Sequence, residues 1–341
     1  MKTLSCAAPA PGRLHVFKPW KTFAWQRGDI LHENAESAPE PLPAAGGAHM
    51  EKEIHKTVVV AGATGRQGGA VARELLKARY KVRAITRHPD SHAAKALAKL
   101  GAEVFDCDLA DTDTLKQVFD GAWGVFALFQ SSEHGVRWEM ETGRRFTATA
   151  KNSGIKHFAY SSAAAANRKT GIPHFDSKAV IEAAVIGARF ESHVIIRPAF
   201  LMENFTSPAM LPELEMGRLC MALRPGTRLQ MVAAEDIGKF GLAAFRRTDE
   251  FNRAEIDIAG DERTLTETAD ILPIASGKSI AYVPASIGEM RKHDPDMAAM
   301  FEWLDRSGPG IDLHAIPARY GLKPLTLTQW AQKVKWPAHS A

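Results

Sequence analysis

The feature that most constrains this chain is a short apolar run that leads directly into three spaced glycines and then into a helical pattern. Residues 58–69 read Val-Val-Val-Ala-Gly-Ala-Thr-Gly-Arg-Gln-Gly-Gly, which places Gly62, Gly65 and Gly68 at G-x-x-G-x-x-G spacing. The first glycine permits the tight turn, the second lets the backbone approach a phosphate, and the third lets the helix pack against the strand. This strand–turn–helix pattern predicts a diphosphate bound by amides at a helix N-terminus. The further binding candidates in the turn are Thr64, Arg66 and Gln67.

Downstream of this motif, short apolar runs alternate with helical segments. Continuous runs such as 125–129 and 194–196 are typical of strands buried on both faces of a parallel sheet. The strict alternation predicts an α/β fold with a doubly wound parallel sheet of the Rossmann type. Strands are predicted to begin near residues 57, 82, 103, 123, 156 and 193. Helices are predicted over residues 66–79, 91–100, 112–119, 136–152, 174–188 and 235–247.

The pattern changes after Pro198, where a Pro- and Met-bearing stretch runs through residue 231. We therefore predict a dinucleotide-binding Rossmann domain over residues 54–200 and a smaller, mostly helical lobe over residues 201–335, with additions to the Rossmann domain near 232–260. The smaller lobe is expected to close over the nicotinamide end of a dinucleotide cofactor bound at the glycine motif, and to bind a substrate or partner. The methionines of the stretch that ends at residue 231 suit either an adaptable apolar pocket or the gaps of a core. They are Met202, Met210, Met216, Met221 and Met231.

Residues 1–53 do not resemble part of this fold, because they contain six prolines and no sustained apolar periodicity. The segment is basic and lacks acidic residues before Asp29, as mitochondrial presequences do. The prolines oppose an amphipathic helix, however, and Met50 is an alternative start. We expect a disordered or targeting extension on a cytoplasmic protein, with a mitochondrial location as the alternative.

Composition and charge exclude several classes of function. The net charge of +4 is spread along the chain, so no basic stripe indicates direct nucleic-acid binding. No apolar run is long enough to span a membrane. The three cysteines lack metal-ligand spacing, and the run of aspartates at 106, 108, 111 and 113 is better explained by helix capping and solvation than by a metal.

The second predicted strand distinguishes between the two nicotinamide cofactors. In an NAD site an acidic residue about 20 residues past the glycines accepts hydrogen bonds from the ribose 2′-hydroxyl. Here the strand ends in Thr86-Arg87, and a guanidinium can hold a 2′-phosphate bidentately. Arg66 is expected to add positive charge from the other side, and Asp90 is better placed to cap the next helix. The pattern favours NADP(H) over NAD(H).

Together these residues resemble the NmrA-like family, an atypical branch of the short-chain dehydrogenase/reductase superfamily. The resemblance covers residues 55–335, and within the family it is greatest to the human NmrA-like NADPH-sensor type. That type has a lysine near position 91 that helps to hold the 2′-phosphate, whereas this chain has Ser91. The segments that carry the resemblance are 62–69, 82–87, 174–178, 197–198, 203–205 and 325–330.

The same resemblance raises the question of catalysis. Typical short-chain dehydrogenases carry Tyr-x-x-x-Lys on the fifth helix and a serine at the preceding strand end. Here Ser161 and Lys178 match the serine and the lysine, whereas His174 stands in place of the tyrosine, on the same helix face as Lys178. His174 is open to three interpretations: a general acid, a spectator beside a bound nicotinamide, or a capping or packing residue. Lys178 is expected to hydrogen-bond the nicotinamide ribose in any of these cases.

The resemblance also implies contacts around the rest of the cofactor. Asp108 and Leu109 match the pair beside the adenine, Phe129 and Gln130 match residues at the nicotinamide ribose, and Pro198 lies near the carboxamide. Two functions follow as hypotheses. One is a nicotinamide redox sensor that acts on a regulatory protein partner, and the other is an NADPH-dependent reductase of an apolar carbonyl, enone, imine or quinone. A homodimer is compatible with either function.

Overall fold

The computed structural model describes residues 56–272 and 279–336, so the predicted extension over residues 1–53 lies outside the described residues. The first half of the chain alternates strands and helices. The strands are β1 (Thr57–Val60), β2 (Lys81–Thr86), β3 (Glu103–Asp106), β4 (Gly124–Leu128), β5 (His157–Ser161) and β6 (Ser192–Pro198). The helices are α1 (Arg66–Lys77), α2 (His92–Lys99), α3 (Thr112–Phe119), α4 (Gly135–Asn152) and α5 (Pro173–Gly187).

The second half of the chain contains shorter elements. The strands are β7 (Phe200–Leu201), β8 (Arg218–Met221), β9 (Arg228–Val232), β10 (Ala254–Ile258), β11 (Asp261–Thr264) and β12 (Ala281–Pro284). The first helices are α6 (Leu211–Glu215), α7 (Ala234–Arg246), α8 (Thr248–Phe251) and α9 (Leu265–Ile271). They are followed by α10 (Ile287–His293), α11 (Pro295–Arg306), α12 (Ala315–Tyr320) and α13 (Leu327–Lys333).

The main sheet confirms the predicted doubly wound architecture. Its seven strands are parallel and lie in the order β10-β6-β5-β4-β1-β2-β3. The six predicted strands begin within one residue of their predicted positions, because continuous apolar runs are buried between two helical layers. Since β1 pairs with both β2 and β4, the carboxyl ends of these three strands lie side by side at the edge where Rossmann folds bind their ligands.

Helix α7 and strand β10 join the Rossmann half of the molecule, although they come from the later part of the chain. A Cβ atom on Gly238 would lie 2.9 Å from the Ala70 carbonyl oxygen, and one on Gly241 would lie 2.7 Å from a Val71 methyl group. These glycines therefore let α7 pack closely against α1. Strand β10 extends the sheet beyond β6, so residues 234–258 complete the domain that the glycine motif begins.

The smaller lobe contains helices and two small sheets, which the sequence analysis did not identify. One sheet has the strand order β11-β9-β7, and the other pairs β12 with β8. Four of the five methionines between residues 202 and 231 fill the core of the lobe, namely Met202, Met210, Met221 and Met231. Met216 is 56% exposed, so these side chains pack a core rather than line a common pocket. No helix in residues 56–272 and 279–336 combines the length and apolarity needed to cross a membrane.

Candidate functional site

The glycine turn after β1 has the close backbone approaches that its sequence predicts. Gly62 has a φ of +68°, and its carbonyl oxygen accepts a hydrogen bond from the Gly65 amide at 2.9 Å. A Cβ atom on Gly68 would lie 2.6 Å from the Gly62 carbonyl carbon, which is closer than two such atoms can approach. A glycine at position 68 is thus needed for α1 to begin directly above the turn.

The N-terminus of α1 is suited to an anionic group. Gly65 is the N-cap, no side chain among the described residues caps the helix, and its first turn contains no acidic residue. By contrast, α2 is capped by the Ser91 hydroxyl and α3 by the Asp111 carboxylate. Uncapped amides at the positive end of a helix dipole fit a diphosphate, so the residues present agree with a bound dinucleotide.

Two polar contacts join the glycine turn to neighbouring strand ends. The Ser161 hydroxyl donates to the Gln67 side-chain oxygen at 2.7 Å, and the hydroxyls of Thr64 and Thr86 lie 3.4 Å apart. Ser161 is buried at the end of β5. The structure therefore brings a predicted catalytic residue into contact with a predicted cofactor-binding residue, across 94 positions of sequence.

Arg66, the residue after the N-cap, is directed toward the smaller lobe. Its guanidinium donates to the Asn204 side-chain oxygen at 3.3 Å. Burial lowers its pKa to about 10, against the opposing attraction of the Glu203 carboxylate. Its expected role opposite Arg87 at a 2′-phosphate stays a prediction, because Asn204 and Glu203 belong to the segment that follows β7.

Glu203 connects this arginine to two other segments. Both of its carboxylate oxygens lie 3.0 Å from the Ala234 amide at the start of α7, and the Trp330 indole of α13 donates to it at 3.0 Å. Burial raises the pKa of the carboxyl group, and these hydrogen bonds oppose that shift. The segments 203–205 and 325–330, which carry part of the family resemblance, are thus joined at the Glu203 carboxylate.

Arg87 lies at the end of β2, where the sequence predicts a 2′-phosphate ligand. Its Nη2 atom is 2.7 Å from the Glu133 carboxylate, which belongs to the loop between β4 and α4. The His134 Nε2 atom lies 3.6 Å from the same carboxylate oxygen. Ser91, in place of the family's lysine, caps α2 through its hydroxyl.

Lys178 is held by a buried carboxylate that the sequence analysis missed. Its ammonium lies 2.6 Å from Glu139 Oε1 and donates to the Phe129 carbonyl oxygen at 3.0 Å. Glu139 is 0% exposed and also accepts from the Ser177 hydroxyl at 2.6 Å. The available signal was periodicity, since Glu139 lies on the same face of α4 as Thr142, Gly143 and Phe146, all of which are buried.

His174 is engaged by the smaller lobe. Its Nδ1 atom lies 2.7 Å from the Asp296 carboxylate, at the start of α11. The next residue, Phe175, packs edge-to-face on Trp303 of the same helix. Of the three interpretations of His174, these contacts favour the packing one. Tyr160 does not replace the missing tyrosine, since its phenol is fully buried and burial raises its pKa well above 10.

The remaining predicted contacts lie around the same edge of the sheet. Phe129 is buried and Gln130 is exposed, directly after β4. Asp108 is exposed and accepts from the Ala110 amide, and Leu109 is half-buried beside it. Pro198 is buried at the end of β6. Within the described ranges, no group of three or more His, Cys, Asp or Glu side chains is arranged to hold a metal ion.

Several solved structures share this fold. The Citrobacter triphenylmethane reductase complexed with NADP(H) superposes with a TM-score of 0.67 at 21% identity, covering 82% of this chain and 100% of that protein. The Escherichia coli NADPH-dependent quinone oxidoreductase complexed with NADPH gives 0.67 at 23% identity, with coverage of 81% and 98%. The negative transcriptional regulator NmrA in complex with NADP gives 0.64 at 20% identity, with coverage of 82% and 90%. At identities of 20–23%, this structural similarity shows a shared fold and nothing more specific.

Comparisons of the sequence with known proteins are close enough to assign the chain to a family. Against the NmrA-like oxidoreductase himF of Aspergillus japonicus the chain is 35% identical over 162 residues, which is 45% of this chain and 49% of that protein. The chain thus spans about half the length of such relatives. Against the NmrA-like oxidoreductase notA of an Aspergillus strain it is 31% identical over 265 residues, covering 70% of this chain and 78% of that protein. The family model for NmrA-like proteins matches residues 54–330, and the chain belongs to the NmrA-like family.

Proposed function

We propose that this chain binds NADP(H) at the β1–α1 turn and acts as a nicotinamide-responsive regulator. The observation that carries the proposal is the contact of Arg66 with the smaller lobe. Arg66 immediately follows the uncapped N-terminus that fits a diphosphate, yet its guanidinium lies against Asn204 and near Glu203. A cofactor at the turn therefore competes with the smaller lobe for the same side chain.

A cofactor phosphate competes both with the Asn204 hydrogen bond and with the attraction of the Glu203 carboxylate for Arg66. The hydrogen bond from Arg66 to the neutral Asn204 amide is long, at 3.3 Å, and contributes about 1 kcal/mol. A full negative charge at about 4 Å contributes about 1 kcal/mol in water and about 4 kcal/mol near a protein surface. Because Glu203 also holds the start of α7 and the Trp330 indole, a shift of Arg66 alters the charge balance at a point where three segments meet.

His174 supports the same function. The position that carries the acidic tyrosine in typical short-chain dehydrogenases is occupied by an imidazole that pairs with Asp296 of the smaller lobe. A second residue expected near the nicotinamide is thus tied to the lobe rather than directed at a substrate. Cofactor occupancy and the position of the lobe are then coupled through two separate contacts.

The test combines binding with limited proteolysis. Titrations with NADPH, NADP⁺ and NADH, followed by fluorescence, should show NADPH bound more tightly than NADH. NADPH should also change the rate of cleavage within residues 201–335. Arg66→Gln should keep that cleavage rate nearly independent of NADPH, whereas Arg137→Gln, at an exposed ion pair on α4, should behave as the wild type. Identical digestion patterns with and without NADPH would refute the regulatory proposal.

A second candidate function is an NADPH-dependent reductase of an apolar carbonyl, enone, imine or quinone. It is supported by Lys178, whose ammonium is held at the Phe129 carbonyl at the end of β4, and by Ser161 at the cofactor turn. The names of the relatives notA and himF, as oxidoreductases, support it too. In this function the cofactor supplies the hydride, and Lys178 would polarise the acceptor.

Turnover separates the two candidates. NADPH oxidation should be followed with a quinone and with a triphenylmethane dye, the substrate classes named for two structural neighbours. Lys178→Met should abolish any turnover. Its affinity for NADPH is measured in parallel, to show whether the variant still binds the cofactor. Absence of turnover with a proteolysis response to NADPH supports the regulator. Turnover that survives in Lys178→Met would refute the assigned role of the lysine.

A further inference from the structure

The ion pair between Arg87 and Glu133 crosses the predicted cofactor cleft. Arg87 follows β2, and Glu133 lies in the loop that follows β4. Strands β2 and β4 flank β1 on its two sides, so the pair spans the carboxyl end of β1, where the glycine turn begins. The two residues are 46 positions apart in sequence, and their contact distance is 2.7 Å.

The Glu133 carboxylate lies between two basic side chains. One of its oxygens is 2.7 Å from the Arg87 guanidinium and 3.6 Å from His134 Nε2. An anionic oxygen group held by an arginine and a histidine is the arrangement that a 2′-phosphate would need at this strand end. The Glu133 carboxylate thus contacts Arg87 and His134, the side chains that a 2′-phosphate at this strand end would use.

We infer that Glu133 is a specificity-determining residue, which competes with the 2′-phosphate of NADP(H) for Arg87. This inference rests on the proposed NADP(H) site and adds a residue that opposes it. A carboxylate and a phosphate repel each other at one guanidinium, so the 2′-phosphate must displace Glu133 from Arg87. NAD(H) lacks this phosphate and leaves the ion pair in place. Glu133 therefore narrows the preference for NADP(H) over NAD(H).

The expected effect is modest because the pair is partly exposed. The side chains of Arg87 and Glu133 are 44% and 28% exposed, and ion pairs of this kind are weak. Glu133→Gln keeps the size of the side chain and removes its charge. It should tighten binding of NADPH about two- to fivefold and leave binding of NADH within about twofold. The difference should shrink at high salt.

The experiment measures dissociation constants by calorimetry for two pairs of ligands, NADPH with NADH and 2′,5′-ADP with 5′-AMP. The nucleotides test the adenosine half without the nicotinamide. Glu141→Gln is the matched control, because Glu141 is an exposed glutamate in an ion pair on α4. A double-mutant cycle with Arg87→Gln completes the design, since tightening by Glu133→Gln should disappear when the arginine is absent.

Four outcomes are distinguishable. The inference is supported if Glu133→Gln tightens binding of NADPH and 2′,5′-ADP but not of NADH and 5′-AMP, and if this tightening is absent in the Arg87→Gln background. Weaker NADPH binding in Glu133→Gln overturns it, because Glu133 would then position Arg87 rather than compete for it. Equal tightening in the presence and absence of Arg87 also overturns it, as a general charge effect. If the wild type binds none of the four ligands, the proposed NADP(H) site itself has failed.

Discussion

Replacing Lys178 with methionine should destabilise the folded chain, because the Glu139 carboxylate would then be buried without its cation. The side chains of Glu139 and Lys178 are 0% and 15% exposed, and the ion-pair distance is 2.6 Å. Removing one partner of a buried pair costs about 3–5 kcal/mol, mostly from the uncompensated charge. The Ser177 hydroxyl remains on the other carboxylate oxygen and offsets about 1 kcal/mol. We expect a net loss of about 2–4 kcal/mol.

The assay is urea unfolding without cofactor, followed by tryptophan fluorescence. The double variant Glu139→Gln with Lys178→Met should recover most of the lost free energy of unfolding, because it buries no charge. Lys116→Met is the matched control, since Lys116 is an exposed lysine paired with Asp113, and it should change stability by less than about 0.5 kcal/mol.

Two results would refute this reasoning. If Lys178→Met unfolds at the wild-type urea concentration, the carboxylate tolerates burial without the ammonium. If the double variant is as unstable as Lys178→Met alone, the loss arises from packing of the lysine side chain rather than from the unpaired charge. The slope of the unfolding free energy against urea must be equal in all variants for the comparison to hold.

Three further predictions concern the sheet and the turn. Gly68→Ala should lose NADPH binding and several kcal/mol of stability, because a Cβ there meets the Gly62 carbonyl, whereas Gly187→Ala, with open space around it, should be neutral or stabilising by about 0.5–1 kcal/mol. Burial lowers the pKa of His157 to about 3 from 6.5, so the wild type should lose up to about 1.4 kcal/mol per pH unit between pH 6.5 and 3 as the unfolded state takes up the proton. Stability curves of His157→Phe and the wild type that run parallel over this range would contradict this. Tyr160→Phe should be neutral or stabilising by up to about 1 kcal/mol in thermal unfolding, because it removes a buried hydroxyl that has no hydrogen-bond partner among the described residues. A clear loss of stability would count against that assignment.

The sequence predicted the local structure of the Rossmann half well, for a physical reason. The apolar runs and helical periodicities determine which segments form strands and helices, and the glycine spacing determines the turn after β1. The predicted and observed boundaries of these strands and helices agree within about two residues. They agree because the signals depend on neighbours only a few positions away in sequence. The two small sheets of the second lobe were not predicted. Phe200–Leu201 is too short for a periodic signal, and the other strands of these sheets lie outside the regular alternation of strands and helices that identified β1 to β6.

The residues of the candidate site were named from the sequence, whereas most of the contacts between them were not. Ser161, at the end of β5, contacts Gln67 in the glycine turn, and Lys178 on α5 contacts the Phe129 carbonyl directly after β4. Glu139 was missed because an acidic residue within a helix is ordinarily exposed. The periodicity of α4 indicated its buried face, and the packing of α4 against α5 places the carboxylate against Lys178.

The sequence alone therefore determined the glycine turn, the parallel sheet and the residues available at its edge. The tertiary structure decided which charged groups meet. Arg66 reaches Asn204 across 138 positions, His174 reaches Asp296 across 122, and Arg87 reaches Glu133 across 46. Backbone sterics and apolar periodicity act over one or two turns of chain and can be recognised in a sequence. The partner of a long charged side chain depends instead on how separate elements pack, and that is set by the whole fold.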